Sequence, residues 1–193
     1  MLDNKDVSEM RNELKEYDDQ RELIIKKSRD VLKLSKQLIY AIHRDEMDVA
    51  AKLVQEIKKE RAALDKIANG DPFLVTEGSY KVALQEYAEA VLYFFVVKEH
   101  KLATRKELGV HTDYYILGLC DLTGELVRKA VYLAGKGLVP EVIRIKDLVD
   151  EIYGELLSFD LRDNEARRKM DAVKYDLRKL EDLALDLKLK GRV

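Results

Sequence analysis

Two pairs of acidic residues have spacings that could do chemistry. Glu86 and Glu89 lie three apart, and their helical stripe continues through Val82, Tyr93 and Val96, so the pair is embedded in apolar neighbours. Asp121 and Glu125 lie four apart in a later segment, on a stripe that also holds Tyr114 and Gly118. Antiparallel packing of the two segments brings the pairs together. Like charges 4 Å apart repel by about 4 kcal/mol at an effective dielectric of 20, so such a cluster either takes up protons or holds a cation. The plain alternative, a solvated acidic helix face, stays open. A ferritin-like di-iron centre needs Glu-x-x-His, and Val97, Tyr40 and Leu108 stand three before His100, His43 and His111. An oxygen-only donor set suits Mg²⁺, or else Mn²⁺. Such ions polarise phosphoryl oxygens and activate water, which points to phosphodiester hydrolysis.

A basic stripe supplies a partner for that chemistry. Residues 21–44 hold seven Lys or Arg and two acidic residues, a local charge of +5 without His43. Lys26, Arg29, Lys33, Lys36, Tyr40 and Arg44 share one helical stripe that a phosphate backbone could track. A solvated helix face is the alternative here too. Arg167, Arg168 and Lys169 form a second basic group, offset by Asp171 and Asp176. The three histidines show no ligand spacing, and Cys120 has neither a CxxC partner nor a nearby His, so a buried thiol is expected.

The elements that must position these residues are helical. Residues 6–43 form a first helix, with Ile24, Val31, Leu34, Leu38 and Ile42 as its seam and Ile25, Leu32 and Ile39 as an extra stripe. After a polar break at 43–48, Ala50, Leu53, Ile57, Leu64 and Ile67 mark a second helix to about residue 68, where Asn69-Gly70 offers a left-handed stop. A third helix covers 78–101. A fourth covers 112–136, with Thr112 as N-cap and Gly135 and Gly137 closing it. Pro140 opens a fifth that continues to about Ser158, and Asp163 or Asn164 caps a sixth. In this last one Met170, Val173, Leu177, Leu180, Ala184 and Leu187 keep heptad spacing. Residues 90–97 are apolar on every side and should be enclosed all round, with self-association as the natural cover.

Composition agrees and excludes other classes. The chain has 193 residues, nine Gly, two Pro and one Cys, and positions 1–69 contain neither Gly nor Pro, which excludes an all-β fold. The whole of 1–193 is expected to form one helical domain. The longest apolar run, 90–97, rises only about 12 Å as a helix against roughly 30 Å of hydrocarbon, so no membrane span is expected. The start Met1-Leu2-Asp3-Asn4-Lys5-Asp6 lacks a signal-peptide pattern, and the lone Cys makes the cytoplasm the default. A formal charge of −2 excludes a globally basic nucleic-acid binder but not a local basic face.

At these same residues the chain resembles the translin family, in its translin-associated factor X branch. The resemblance rests on LQEYAEA at 84–90, DYYILGLCDLTGELVRKA at 113–130, RRKMDAVKYDLRKLEDLALDLKLKG at 167–191 and KSRDVLKLSKQLIYAIHR at 27–44. It implies an all-α, antiparallel translin-like bundle of about six to seven helices, assembled as an octameric shell around nucleic acid. It also implies a metal-dependent endoribonuclease whose catalytic acids, by motif, are Glu86, Glu89, Asp121 and Glu125. No long basic N-terminal extension of the eukaryotic kind is present, and only four Asn and four Gln accompany the high charge, which points to a prokaryotic or archaeal type.

The expectation is therefore an Mg²⁺-dependent endoribonuclease that forms a homo-oligomer. The four acids hold the metal, with Mn²⁺ as a substitute, and Lys26, Arg29, Lys33, Lys36 and Arg44 hold single-stranded or small duplex RNA, or single-stranded DNA. The alternatives are a non-catalytic binder of single-stranded RNA or DNA and a purely structural helical assembly.

Overall fold

The apolar seams set the helices. A computed structural model describes residues 2–162 and 164–191. Among them are seven α-helices, α1 (Asn4–His43), α2 (Met47–Ala68), α3 (Gly78–Glu99), α4 (Arg105–Leu108), α5 (Thr112–Gly135), α6 (Val139–Leu156) and α7 (Asn164–Leu189), with a 3₁₀ turn at Leu74–Thr76. Ile24, Val31, Leu38 and Ile42 of α1, Ile57 and Leu64 of α2, and Val173 and Leu180 of α7 are fully buried, as their spacing requires. Of the two residues expected to cap the last helix, Asn164 is its first residue and Asp163 lies outside the described residues. No helix among the described residues is long and apolar enough to cross a membrane.

Several local expectations are corrected. The α2 helix does not end on a left-handed residue: Asn69 is right-handed, and the Gly70 N–H closes a tight turn on the Ile67 carbonyl at 3.0 Å. Left-handed backbone occurs instead at Asp45, His100, Gly109, Gly137 and Gly191. The N-cap of α5 is His111, whose extended backbone and Nδ1 accept the turn from the Asp113 N–H, so Thr112 is already helical. The α4 turn, with its Thr104/Glu107 capping box, falls in a stretch with no helical periodicity to announce it. Residues 90–94 and Val96 are buried against α1, α2 and α5 of the same chain, while Phe95 and Val97 are only partly buried.

The larger correction concerns direction. α1 and α2 are antiparallel, as are α5 and α6, but α3 and α5 run the same way. Tyr80 meets Tyr114 near their N-termini, with ring centroids 6.3 Å apart, while His43 joins Tyr93 to Glu125 further along both helices. Residues 100–111 therefore return along the bundle. Eight non-helical residues and the single α4 turn reach roughly 33 Å together, about the length of the 22-residue α3 that they retrace. Tyr115 Oη donates to the Ala103 carbonyl at 2.9 Å and Arg61 Nη2 to the Gly109 carbonyl at 2.5 Å, which pin this crossover.

Gly118 sets how closely α3 and α5 approach. A Cβ there would lie 2.7 Å from Ala88 Cβ, 2.9 Å from the Glu89 nitrogen and 3.0 Å from the Gln85 carbonyl oxygen. Substituting Gly118→Ala should gain about 1 kcal/mol of helix propensity yet lose more to overpacking, for a net destabilisation of about 1–2 kcal/mol. Exposed Gly154 in α6 has open space around it, so Gly154→Ala should stabilise by up to about 1 kcal/mol. Urea unfolding of both variants checks the difference; two changes of the same sign would contradict the close contact.

Candidate active site

The α3–α5 contact carries the acidic residues with it. Glu89 sits on the apolar side of α3, only 8% exposed, between Ala88 and Ala90, which are fully buried. Glu86 is half-buried one turn earlier, and Asp121 and Glu125 project from α5 and are also half-buried. The four carboxylates are close enough to act on one another. Burial, then Asp121, Glu86 and Glu125, push the Glu89 carboxyl up to about 8. Glu86 is raised too, first by burial; Lys36 eases this, while Asp121 and Glu125 add to it.

The α5 pair is neutralised by side chains from other helices. Lys169 Nζ of α7 donates to both oxygens of Asp121, at 2.6 and 2.8 Å, and Gln85 Nε2 donates to Oδ2 at 2.5 Å. Glu125 Oε2 accepts from His43 Nε2, and the Tyr93 hydroxyl lies 3.2 Å from His43 Nδ1. Among the described residues the Glu86 and Glu89 carboxylates make neither a hydrogen bond nor an ion pair. The donor set is all oxygen and fits a hard divalent ion in type. It is not closed around a point, for among the described residues no three His, Cys, Asp or Glu side chains form a metal-binding group. The arrangement on Asp121 and Glu125 accounts for this: Lys169, Gln85 and His43 hold the oxygens that a cation would claim.

The basic stripe lies beside this cluster. Lys26, Arg29, Lys33 and Lys36 are exposed on α1, and among the described residues none of them is ion-paired. Arg29, Lys33, Lys36 and Tyr40 line a shallow groove together with Leu32 and Gln37. Lys36 acts on Glu86, so the stripe leads to the acids. Arg44 differs: its Nε donates to Glu46 at 2.6 Å and its guanidinium stacks 5.6 Å from the Tyr40 ring centroid. Cys120 is buried, and its thiol is pushed up to about 12 by burial and by Asp121, the opposite of an activated nucleophile.

His43, Gln85 and Lys169 are the site residues that spacing missed. His43 and Glu125 are 82 positions apart, and Lys169 and Asp121 are 48 apart. The local signals were the Glu86-centred stripe, one residue from Gln85, and the basic group at 167–169.

Residues 19–191 match the Translin family. The chain belongs to the translin family. Among relatives, this translin-family chain is 32% identical over 165 residues to an uncharacterized protein of Methanocaldococcus jannaschii, spanning 83% of this chain and 72% of the relative. It is 23% identical over 220 residues to translin-associated protein X of Mus musculus, spanning 93% of this chain and 76% of the relative. The crystal structure of apo-NeC3PO has a TM-score of 0.87 to it at 28% identity, covering 96% of this chain and 97% of that one. A duplex RNA complex of AfC3PO shares the translin-family fold, with a TM-score of 0.81, 20% identity, and 95% and 97% of the two chains covered.

The Glu89 shift has a direct stability consequence. Its folded-state value of about 8 lies above the ordinary 4.5, so the folded chain binds the extra proton, and stability falls as pH rises from 4.5 through 8. Glu89→Gln should remove that loss. In thermal melts the variant should gain little at pH 5 and on the order of 2–4 kcal/mol at pH 9. A difference that does not change with pH would show that Glu89 ionises without penalty.

Proposed function

We propose that this chain is a metal-dependent endoribonuclease that acts as a homo-oligomer, an octamer by family resemblance, in the cytoplasm. The observation that carries the reading is the convergence of Glu86, Glu89, Asp121 and Glu125 at the end of an unpaired basic stripe. Among the described residues two of these carboxylates have no hydrogen-bond or ion-pair partner, and one of them, Glu89, is buried at a cost that proton uptake or a bound cation offsets. The AfC3PO complex, of the same fold, holds duplex RNA, which supports RNA as the substrate class.

In this reading Glu86, Glu89, Asp121 and Glu125 hold Mg²⁺, with Mn²⁺ able to replace it. The ion, when bound, supplies polarisation of a phosphoryl oxygen and lowers the cost of making a nucleophile from water. Lys26, Arg29, Lys33 and Lys36 bind the backbone and set its register, with Arg44 as a further contact once it leaves Glu46. Glu86, half-buried and with its carboxyl raised first by burial, accepts the proton of the attacking water. Lys169 pairs with Asp121, and with Asp121 on a cation its ammonium would be available to a phosphate.

A second reading is a non-catalytic binder of single-stranded RNA or DNA. It is favoured by Lys169, which pairs with Asp121, and by His43, which donates to Glu125, in the metal-free arrangement.

Labelled single-stranded and duplex RNA, each with Mg²⁺ and with chelator, separate the two. Internal cleavage is expected only with Mg²⁺, and Asp121→Ala or Glu89→Ala should lower it about 100-fold or more, with native mass unchanged. Full activity in either variant overturns the assignment of the acids, and binding without cleavage favours the second reading. A Lys33→Ala, Lys36→Ala double variant should weaken binding to single strands and reduce the slope of log affinity against log salt by about 1.4. An unchanged slope places the backbone elsewhere.

A further inference from the structure

The C-terminal end of α1 meets the acidic site through one residue that metal-ligand spacing gives no reason to notice. His43 is the last residue of α1, and its side chain is 8% exposed. Its ring lies 5.2 Å from the Tyr93 ring, and Tyr93 is wholly buried. The Tyr93 hydroxyl lies 3.2 Å from His43 Nδ1; with the Glu125 carboxylate against Nε2 and a neutral ring, Nδ1 is the acceptor and the phenol the donor. With Nδ1 accepting, the ring proton sits on Nε2, and Nε2–H donates to Glu125 Oε2.

The backbone that carries His43 is clamped by the same helix that carries Glu125. Lys129, one turn beyond Glu125, is buried and donates to the Ile42 carbonyl at 3.3 Å and to Asp45 Oδ1 at 2.5 Å. Tyr132 Oη and Lys136 Nζ donate to Asp45 Oδ2 at 2.7 and 3.0 Å. Three donors thus hold Asp45 in its left-handed conformation, φ 59°, and with it the turn that ends α1. Without His43, the competing cation for Glu125 is exposed Arg128, whose Nη1 lies 4.0 Å from Oε2 on the same helix.

We propose that His43 is a positioning residue for Glu125. The chain Tyr93 O–H to His43 Nδ1, and His43 Nε2–H to Glu125, fixes one carboxylate oxygen and leaves the other directed at the acidic cluster instead of at Arg128. The role toward a metal rests on the endoribonuclease reading; the oriented hydrogen-bond chain does not. Donors of this kind, one step behind a metal ligand, typically account for 10–100-fold in metal affinity.

The test uses the full-length protein in two parts. In metal-free protein, ¹⁵N NMR of the histidines should find His43 as the single neutral Nε2–H tautomer, and Tyr93→Phe should give a mixture; an Nδ1–H tautomer in the wild type overturns the proposal. Mn²⁺ binding, followed by electron paramagnetic resonance, should weaken 10–100-fold in His43→Ala. His43→Gln, whose amide Nε2–H sits where the ring donor sits, should recover most of it. Helicity, native mass and RNA binding in chelator should be the same in all three proteins. Wild-type affinity in His43→Ala, or no recovery in His43→Gln, overturns the positioning role. A wild-type protein that takes up no Mn²⁺ sinks the metal reading and the role built on it, and is told apart by an intact Nε2–H signal.

Discussion

A missing side chain at Gly118 lets the α3 and α5 backbones touch, and the acidic site depends on that contact. With Ala88 and the Glu89 backbone inside the space a Cβ would take, the two helices are too close for water to separate their facing residues. Glu89 is then buried against α5, and Glu86, Asp121 and Glu125 come within electrostatic reach. Like charges held this way repel by several kcal/mol unless protons or cations intervene. The chain supplies two of those cations itself, Lys169 on Asp121 and Lys36 beside Glu86, while the His43 N–H donates to Glu125. Glu89 feels Lys169 only as a smaller effect than burial and the three neighbouring carboxylates, and a raised proton affinity is the result.

Elsewhere the fold has the strength to carry this penalty. Core residues of α1, α2, α3, α5, α6 and α7 form one continuous apolar cluster, and residues 90–97 add a fully apolar segment right beside the acids. The Lys129–Asp45 clamp fastens the α1–α2 turn to α5, and Lys129, with Tyr132 and Lys136, holds the Asp45 carboxyl well below the usual carboxylate range against the opposing effect of burial. A site that strains its surroundings therefore sits between two of the most firmly held parts of the chain.

The helices and their inward faces were legible because apolar residues recur at helical spacing over long runs, as in Ile24 to Ile42 and Met170 to Leu187. The acidic cluster was legible for the same reason: Glu86 and Glu89 interrupt an apolar stripe. The relative direction of α3 and α5 was not. It is decided by a crossover with no periodicity, pinned by Tyr115 and Arg61 through backbone carbonyls that no side-chain pattern reports. His111 displaced Thr112 as a cap because both types can accept from the first turn, and only backbone geometry chooses between them. His43 and Lys169 were illegible as site residues because their partners are distant in sequence. Parallel packing nonetheless brings the acid pairs together, since Gly118 seats the Gln85–Glu89 turn of α3 directly on α5, and one turn on His43 joins Tyr93 to Glu125.

The central claim is that the buried carboxylates form a place for a divalent cation, and Glu89 reports on it directly. Carbon-13 NMR of the Glu89 side-chain carboxyl, titrated with and without Mg²⁺, measures its ionisation in the folded protein. The expected midpoint is about 8 in the metal-free chain, with full ionisation at pH 7 once Mg²⁺ is added. A midpoint near the ordinary 4.5, unmoved by Mg²⁺, would contradict the account.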